Sequence, residues 1–357
     1  MAVYGNTCSE ELEAMGIGQC AAELERVSGP IGMGAAIVDS QLPESAALAD
    51  EVRTGLQTTP KRLSSRFFYD AEGSRLFAEI MHSPDYYLTR SEYEILETHK
   101  ADMLRQFSPG NQPFELVELG AGDGLKTKIL LGFFESQKAD FTYAPIDISA
   151  DALDGLVADV RRQWPDLQVN PRHDDYFSAL ELLSQETDNR KVALFLGSNI
   201  GNFAPDDAVD FYQQLHDRLQ PGDIVLTGFD LQKNPAIIHT AYNDREGLTK
   251  AFNLNLLRRI NRELEANFDL DAFDHYETYN PENGEARSYL VSQKVQTVTI
   301  KALDMQVPFQ PGEIIHTEIS RKFSRTQIEQ LAQQTGFSVT AWFTDSQGYF
   351  ADVVFER

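Results

Sequence analysis

Basic residues are scarce in this 357-residue chain: Lys and Arg number 31 against 55 Asp and Glu, a formal charge of −24. Such a balance repels phosphate backbones and anionic headgroups, so neither nucleic acid nor a membrane surface is an expected partner. Cysteine is scarcer still. Its two copies, Cys8 and Cys20, precede the main globular pattern, and no CxxC or His-rich spacing occurs, so neither a disulfide framework nor a metal site is expected. Two reduced thiols suit a cytoplasmic protein, and a monomer is the expected state. No apolar run approaches the roughly 20 residues that span a bilayer, and Glu10, Glu11 and Glu13 do not fit a signal peptide. What is present is chain enough for one large or two ordinary domains with a substantial core.

The most informative stretch is VELGAGDGLKT, Val117 to Thr127. An apolar run from Phe114 to Leu119 stops at Gly120, Gly122 and Gly124, and a helical pattern starts at Leu125 with Ile129, Leu130 and Phe133. This reads as strand, tight turn, helix. Glycines serve where the backbone takes φ > 0 or where a ligand lies against bare backbone, and a helix N-terminus favours electron-rich groups. A dinucleotide fingerprint needs a third glycine at position 125, which is leucine, and a P-loop needs Gly-Lys-Ser/Thr, which Leu125 and Lys126 break. The pattern Glu118-x-Gly120-x-Gly122-x-Gly124 instead resembles motif I of the class I S-adenosylmethionine (AdoMet) methyltransferases. By itself it also suits another Rossmann-like use or a structural turn.

Further strands follow at Phe141–Ile146, Leu167–Arg172, Lys191–Leu196 and Ile224–Phe229, with helices at Ala150–Trp164 (capped by Ser149) and Pro205–Leu219. Five alternations predict an α/β fold with a doubly wound parallel sheet. Asp147 closes the second strand, where a carboxylate can accept from both ribose hydroxyls, and Asp174, Asp175 and Tyr176 close the third, near an adenine edge. GSNIGNF (197–203) closes the fourth. Asn199 and Asn202 offer donor and acceptor together, although turn chemistry alone accounts for one of them.

Elsewhere, a helix is expected over 44–56, ended at Thr59-Pro60. The segment from Phe67 to Glu92 is dense in rings. Packing explains Phe67, Phe68 and Phe77, whereas Tyr69, Tyr86 and Tyr87 are candidates for a pocket wall, because a phenol needs a partner and a ring can face a cation. Beyond 233 the alternation breaks into helices (235–253, 254–267) and β-like runs (286–291, 296–303), read as a second lobe. A capping box at Ser324 and Gln327 then starts a helix to Gln334, closed by Gly336, and strands 337–344 and 349–355 complete the sheet. The resulting division is an N-terminal extension (1–43, with a weak helix over 9–27), a mixed α+β substrate lobe inserted in the sheet domain (44–92 plus 233–322), and an AdoMet domain (93–232 plus 323–357).

Several motifs in order sharpen this reading. Phe68-Tyr69-Asp70-Ala71-x-Gly73-Ser74, Tyr86-Tyr87-x-Thr89-Arg90, Gly197-Ser198-x-Ile200-Gly201-Asn202, Ala241-Tyr242-Asn243-Asp244, Ala251-Phe252-Asn253 and Thr317-Glu318-Ile319-Ser320 together resemble the histidine-specific Nα-methyltransferases of ergothioneine biosynthesis. The resemblance covers about residue 44 to the C-terminus. It implies three methyl transfers from AdoMet to the α-amine of L-histidine, giving hercynine, with no metal. Gly120, Gly122, Lys126, Asp147, Asp175 and Tyr176 would hold AdoMet. Tyr86, Asn202, Tyr242, Glu318 and Ser320 would hold histidine, with Asn202 and Tyr69 at the reacting groups. Glu318 and Ser320, two apart in an extended segment, can meet the two imidazole nitrogens. Ser288 departs from the family, standing where a relative carries a large apolar side chain. A relative acting on prenylated tryptophan is the nearest alternative, and it needs a larger apolar pocket. A non-catalytic AdoMet-binding scaffold would be expected to lack the Asp147, Asn202 or Glu318 side chains.

Overall fold

The structure is a computed structural model that describes residues 44–357. The expectations for the N-terminal arm, its helix and its two cysteines lie outside the described residues.

Four elements precede the main sheet: α1 (Glu44–Gly55), β1 (Lys61–Arg62), α2 (Ala71–His82) and α3 (Leu88–Phe107). The sheet domain then alternates β2 (Phe114–Leu119), α4 (Thr127–Ser136), β3 (Phe141–Asp147), α5 (Ala150–Gln163), β4 (Gln168–Val169), β5 (Arg172–His173), α6 (Tyr176–Glu186), β6 (Arg190–Phe195), α7 (Pro205–Arg218) and β7 (Ile224–Asp230). The expected third strand is split into β4 and β5, because Pro171 between them has no N–H for the ladder.

All six residues of β2 are buried, as a strand covered by helices on both faces requires. Leu116 packs with Ile95, Leu130 and Val160 on one side, while Val117 packs with Leu180, Phe211 and Ile328 on the other. The sheet is therefore doubly wound.

The second lobe follows: α8 (Pro235–Tyr242), α9 (Leu248–Glu263), β8 (Phe273–Asn280), β9 (Glu285–Ser292), β10 (Gln296–Ile300), β11 (Met305–Phe309) and β12 (Ile314–Arg321). Its helices differ from the expected pair. The chain breaks at 243–247, where Gly247 has φ +76° and Asp244 accepts from Leu248 N and Thr249 N at 2.8 and 2.7 Å. β1 joins this lobe, pairing in parallel with β12 in a sheet ordered β1-β12-β9-β8. Leu76 and Ile80 of α2 pack with Phe252, Leu256 and Ile260 of α9. The division expected at 92/93 falls inside α3, which runs unbroken from Leu88 to Phe107.

The chain closes with α10 (Arg325–Gln334), opened by the Ser324–Gln327 capping box, then β13 (Ser338–Thr344) and β14 (Phe350–Glu356). They complete the main sheet as β13-β14-β7-β6-β2-β3-β4, with β14 antiparallel to β7 and β5 also against β3. Strand order reverses between β2 and β6. A crevice at the C-terminal ends of strands is expected at such a switch point, and it brings the glycine turn beside GSNIGNF.

One motif glycine is sterically enforced. A Cβ on Gly73 would stand 1.7 Å from the Phe68 carbonyl oxygen, while Gly73 N donates to the Asp70 carboxylate that caps α2. Gly73→Ala is expected to cost about 1–3 kcal/mol through overpacking. A thermal melt matching the parent would contradict this.

Candidate active site

Gly120, Gly122 and Gly124 have φ of +76°, +52° and +63°, so the turn after β2 needs their backbone freedom. A Cβ on Gly120 would lie 2.6 Å from the Tyr176 hydroxyl, so that backbone is left bare opposite a phenol. Asp147, at the end of β3, accepts from Gly122 N at 3.0 Å and Ser149 N at 2.8 Å. Burial raises its pKa, and those N–H groups pull it partly back. Burial also raises the Tyr176 phenol, with a smaller contribution from Asp147, so Gly120, Asp147 and Tyr176 surround one spot.

Two expected AdoMet residues have other partners. Asp175 caps α6, accepting from Phe177 N and Ser178 N at 3.0 Å through one oxygen. The ammonium of Lys126 is paired with buried Glu92, whose other oxygen accepts from Gly197 N at 2.7 Å. Glu118 of the glycine motif is a brace rather than a ligand group. Both its oxygens accept, from Thr127 and Tyr143, and burial brings its pKa to about 7.

A cavity, partly open to solvent, is lined by Tyr69, Tyr86, Asn202, Tyr242, Glu318 and Ser320, with Phe77, Phe252, Thr249 and Gly197. Six expected residues from four separate stretches thus meet in one place. The rings form an edge-to-face wall: Tyr69 with Phe252 at 5.4 Å, Phe77 with Tyr86 at 6.3 Å and Tyr86 with Tyr242 at 6.2 Å. Phe77, expected only to pack, faces the cavity, whereas Tyr87 turns away and donates to Asp230 at 2.8 Å. Burial pushes the Tyr69, Tyr86 and Tyr242 phenols well up, so all three are neutral hydroxyls. Asn199 donates to Leu196 O and holds the turn, while Asn202 makes no side-chain hydrogen bond among the described residues.

Glu318 and Ser320 both face the cavity from β12, beyond a bulge at His316–Glu318. Burial raises Glu318 to about 7, moderated by the nearby Lys322 ammonium. Across the sheet, Glu318 registers with Ser288 and Ser288 with Glu277. Ser288 does not line the cavity. It donates to Glu277 at 2.7 Å, and burial takes that carboxyl up to about 8 despite the bond.

The sequence reading missed the group behind this wall. Lys322, fully buried, donates to Tyr242 Oη at 2.6 Å and Ser320 Oγ at 2.8 Å and lies 2.9 Å from Asp230 Oδ2. Asp230 also pairs with Lys233, which donates to Tyr87 Oη at 2.8 Å. Burial opposes ionisation of Asp230, but the two ammonium groups outweigh it and hold its pKa below the usual range. The available signal was Asp230 at the end of an apolar strand. A lone lysine such as Lys322 gives none.

Comparison with known proteins identifies the family. A family model described as "Histidine-specific methyltransferase, SAM-dependent" matches residues 48–357. A histidine N-alpha-methyltransferase of Mycolicibacterium smegmatis is 37% identical over 304 residues, covering 85% of this chain and 93% of that protein. Ergothioneine biosynthesis protein 1 of Schizosaccharomyces pombe is 28% identical over 83% of this chain and 39% of its own length. Among solved structures, an S-adenosylmethionine-dependent methyltransferase from Clostridium acetobutylicum is similar at 13% identity, with TM-score 0.42 over 79% of this chain and 98% of that one. The match over most of the chain means that this protein belongs to the histidine-specific, S-adenosylmethionine-dependent methyltransferase family.

Proposed function

We propose that this chain transfers three methyl groups from AdoMet to the α-amine of L-histidine, forming hercynine in ergothioneine biosynthesis. The observation that carries the reading is that Glu318 and Ser320 line one cavity together with Asn202 and three neutral tyrosines. Bound at the glycine turn, AdoMet supplies an electrophilic methyl group. The bare backbone of Gly120 and Gly122, the Asp147 carboxylate and the Asp175–Tyr176 corner fit such a molecule. Lys126 belongs to this end through its pair with Glu92. The division into an AdoMet domain and a substrate lobe, with the 92/93 boundary moved ahead of Leu88, is part of the same reading, as is a cytoplasmic monomer working without metal. Among the described residues no helix is long and apolar enough to cross a membrane.

Methyl transfer needs no covalent enzyme intermediate, so alignment is the main task and can contribute about 7–11 kcal/mol. Asn202, free of internal bonds, is suited to orient the amine lone pair. Tyr69 and Tyr86 bring rings and hydroxyls, and Tyr242 its ring, to the cavity that holds a nitrogen becoming a methylated cation. Glu318 accepts a ring N–H, and Ser320 meets the other ring nitrogen. The same pair disfavours a prenylated tryptophan, which offers no second ring nitrogen and needs more apolar room.

The α-amine and Glu318 both contribute to the pH dependence. The α-amine must be neutral to attack, and in a free amino acid the neighbouring carboxylate makes it more basic than a peptide N-terminus, whose pKa is about 7.7–8.0. Glu318, raised to about 7, must be ionised to accept, so protonation weakens histidine binding below that pH. Activity is therefore expected to climb from about pH 6 to about pH 9, and Glu318→Gln to remove only the share of the climb that the Glu318 carboxyl sets. A flat profile would mean that a buried base takes the proton.

The site of methylation is the direct test. Proton NMR of the product from histidine and AdoMet should show all new methyl groups on Nα. Methylation of a ring nitrogen would overturn the orientation proposed for the substrate.

A further inference from the structure

Ser320 and Tyr242 are held by a cation whose bonds can be counted. An ammonium has three N–H groups, and those of Lys322 have three acceptors: Asp230 Oδ2, Tyr242 Oη and Ser320 Oγ. The two hydroxyls are themselves 2.8 Å apart, so one donates to the other. A phenol is the more acidic hydroxyl and the poorer acceptor, since one of its lone pairs is shared with the ring. Tyr242 is therefore the donor in that bond. Ser320 Oγ then accepts twice, from Lys322 and from Tyr242, and both its lone pairs are used. Its own proton has no acceptor within the group and faces the cavity.

We infer that Lys322 is a positioning residue that fixes the polarity of the Ser320 hydroxyl, so that the site selects the neutral imidazole of its substrate over the imidazolium. This rests on the assignment of the cavity to histidine. A neutral ring has one N–H and one bare nitrogen. The N–H meets Glu318, and the bare nitrogen accepts from Ser320. An imidazolium has two N–H groups, and one of them would confront the Ser320 proton.

The surrounding charges support the same choice. From β12 and the residue after it come Glu318 and Lys322, from β7 and its following loop Asp230 and Lys233, and from β8 Glu277 and His275. The facing phenols are Tyr69, Tyr86 and Tyr242. Two ammonium groups balance two carboxylates once Glu318 is ionised. Glu277, raised by burial to about 8, and His275, lowered by burial to about 4, are both neutral near pH 7. A charged ring would unbalance a site that is already neutral.

The experiment compares L-histidine with 2-fluoro-L-histidine, whose ring stays neutral throughout, on the full chain with AdoMet. The quantity read is the ratio of their kcat/KM values against pH. Titration of enzyme groups, Glu318 included, is common to both substrates and cancels in the ratio. The ratio of histidine to the fluoro analogue is expected to fall about tenfold per pH unit below the ring pKa of about 6.5. A constant ratio would overturn the inference. In Lys322→Met, Ser320 regains a lone pair and the site loses a positive charge, so the ratio should become flat. Should that variant fail to fold, Ser320→Ala, which removes the donor outright, should flatten it too. A folded variant of either kind that keeps the parental slope would contradict the role given to Lys322. If neither substrate gains a methyl group at any pH, it is the histidine assignment that fails, and the inference falls with it.

Discussion

Phenylalanine is expected to be methylated about 10⁴-fold or more less efficiently than histidine, measured as kcat/KM. The two side chains are close in size, so shape gives little discrimination. What separates them is that phenylalanine would displace water from Glu318 and Ser320 and return no hydrogen bond. A carboxyl raised by burial to about 7 is mostly ionised above that pH, and leaving the carboxylate unpaired there is costly. The complementary variant is Glu318→Ala. A hydrogen bond to a charged group contributes about 1.5–3 kcal/mol, so kcat/KM for histidine is expected to fall by about 10–100-fold, mainly in KM. Binding of AdoMet, measured by calorimetry, should change by less than about twofold, because Glu318 lies in the substrate cavity rather than at the glycine turn. Equal losses for both ligands would remove Glu318 from the ring-binding role.

Asp147→Ala should show the opposite division. Its carboxylate holds Gly122 N and Ser149 N, which fixes the turn after β2 against the start of α5. Alanine removes the group proposed to meet the ribose hydroxyls and also orphans two N–H groups beside the cradle. We expect the Kd for AdoMet to rise by about 10–100-fold, as loss of charge-assisted bonds implies. KM for histidine at saturating AdoMet should stay close to that of the parent. Asp147→Asn keeps an acceptor oxygen and should fall between. If histidine KM moves as far as AdoMet affinity, the two ends of the crevice are not separable as described.

The sheet was readable because its signals are local. The apolar runs of β2, β3, β6 and β7 are bounded by glycine, proline or a capping serine, and period and punctuation agree. Asp147 was singled out by its place at the end of β3, whereas Asn202, Glu318 and Ser320 were named as site residues through the family resemblance, and the structure brings those three to one cavity. The inserted lobe was harder. β8 places Phe273, His275 and Glu277 inward, so two of its buried side chains are ionisable, and the strand does not look apolar on either face. Helix 235–253 looked continuous because the break at Asp244 is made by its carboxylate capping the next helix, a contact that composition does not reveal. Lys126 and Lys322 show the limit most clearly. Lys126 was named only through the resemblance, as an AdoMet residue, and Lys322 was not singled out, because the partner of a lysine is not written beside it in the sequence. Whether it meets Glu92 or Asp230 depends on strands and helices more than 30 residues away, at 34 and 92 positions' separation.

The central claim is that the substrate is identified by its ring at the end of the cavity defined by Glu318 and Ser320, while its amine faces the methyl donor. Mass spectrometry of the full chain incubated with AdoMet and an equimolar mixture of the common amino acids tests it most directly. Histidine alone should gain three methyl groups. Methylation of phenylalanine, tyrosine or tryptophan at a rate comparable to histidine, or of no amino acid at all, would contradict it.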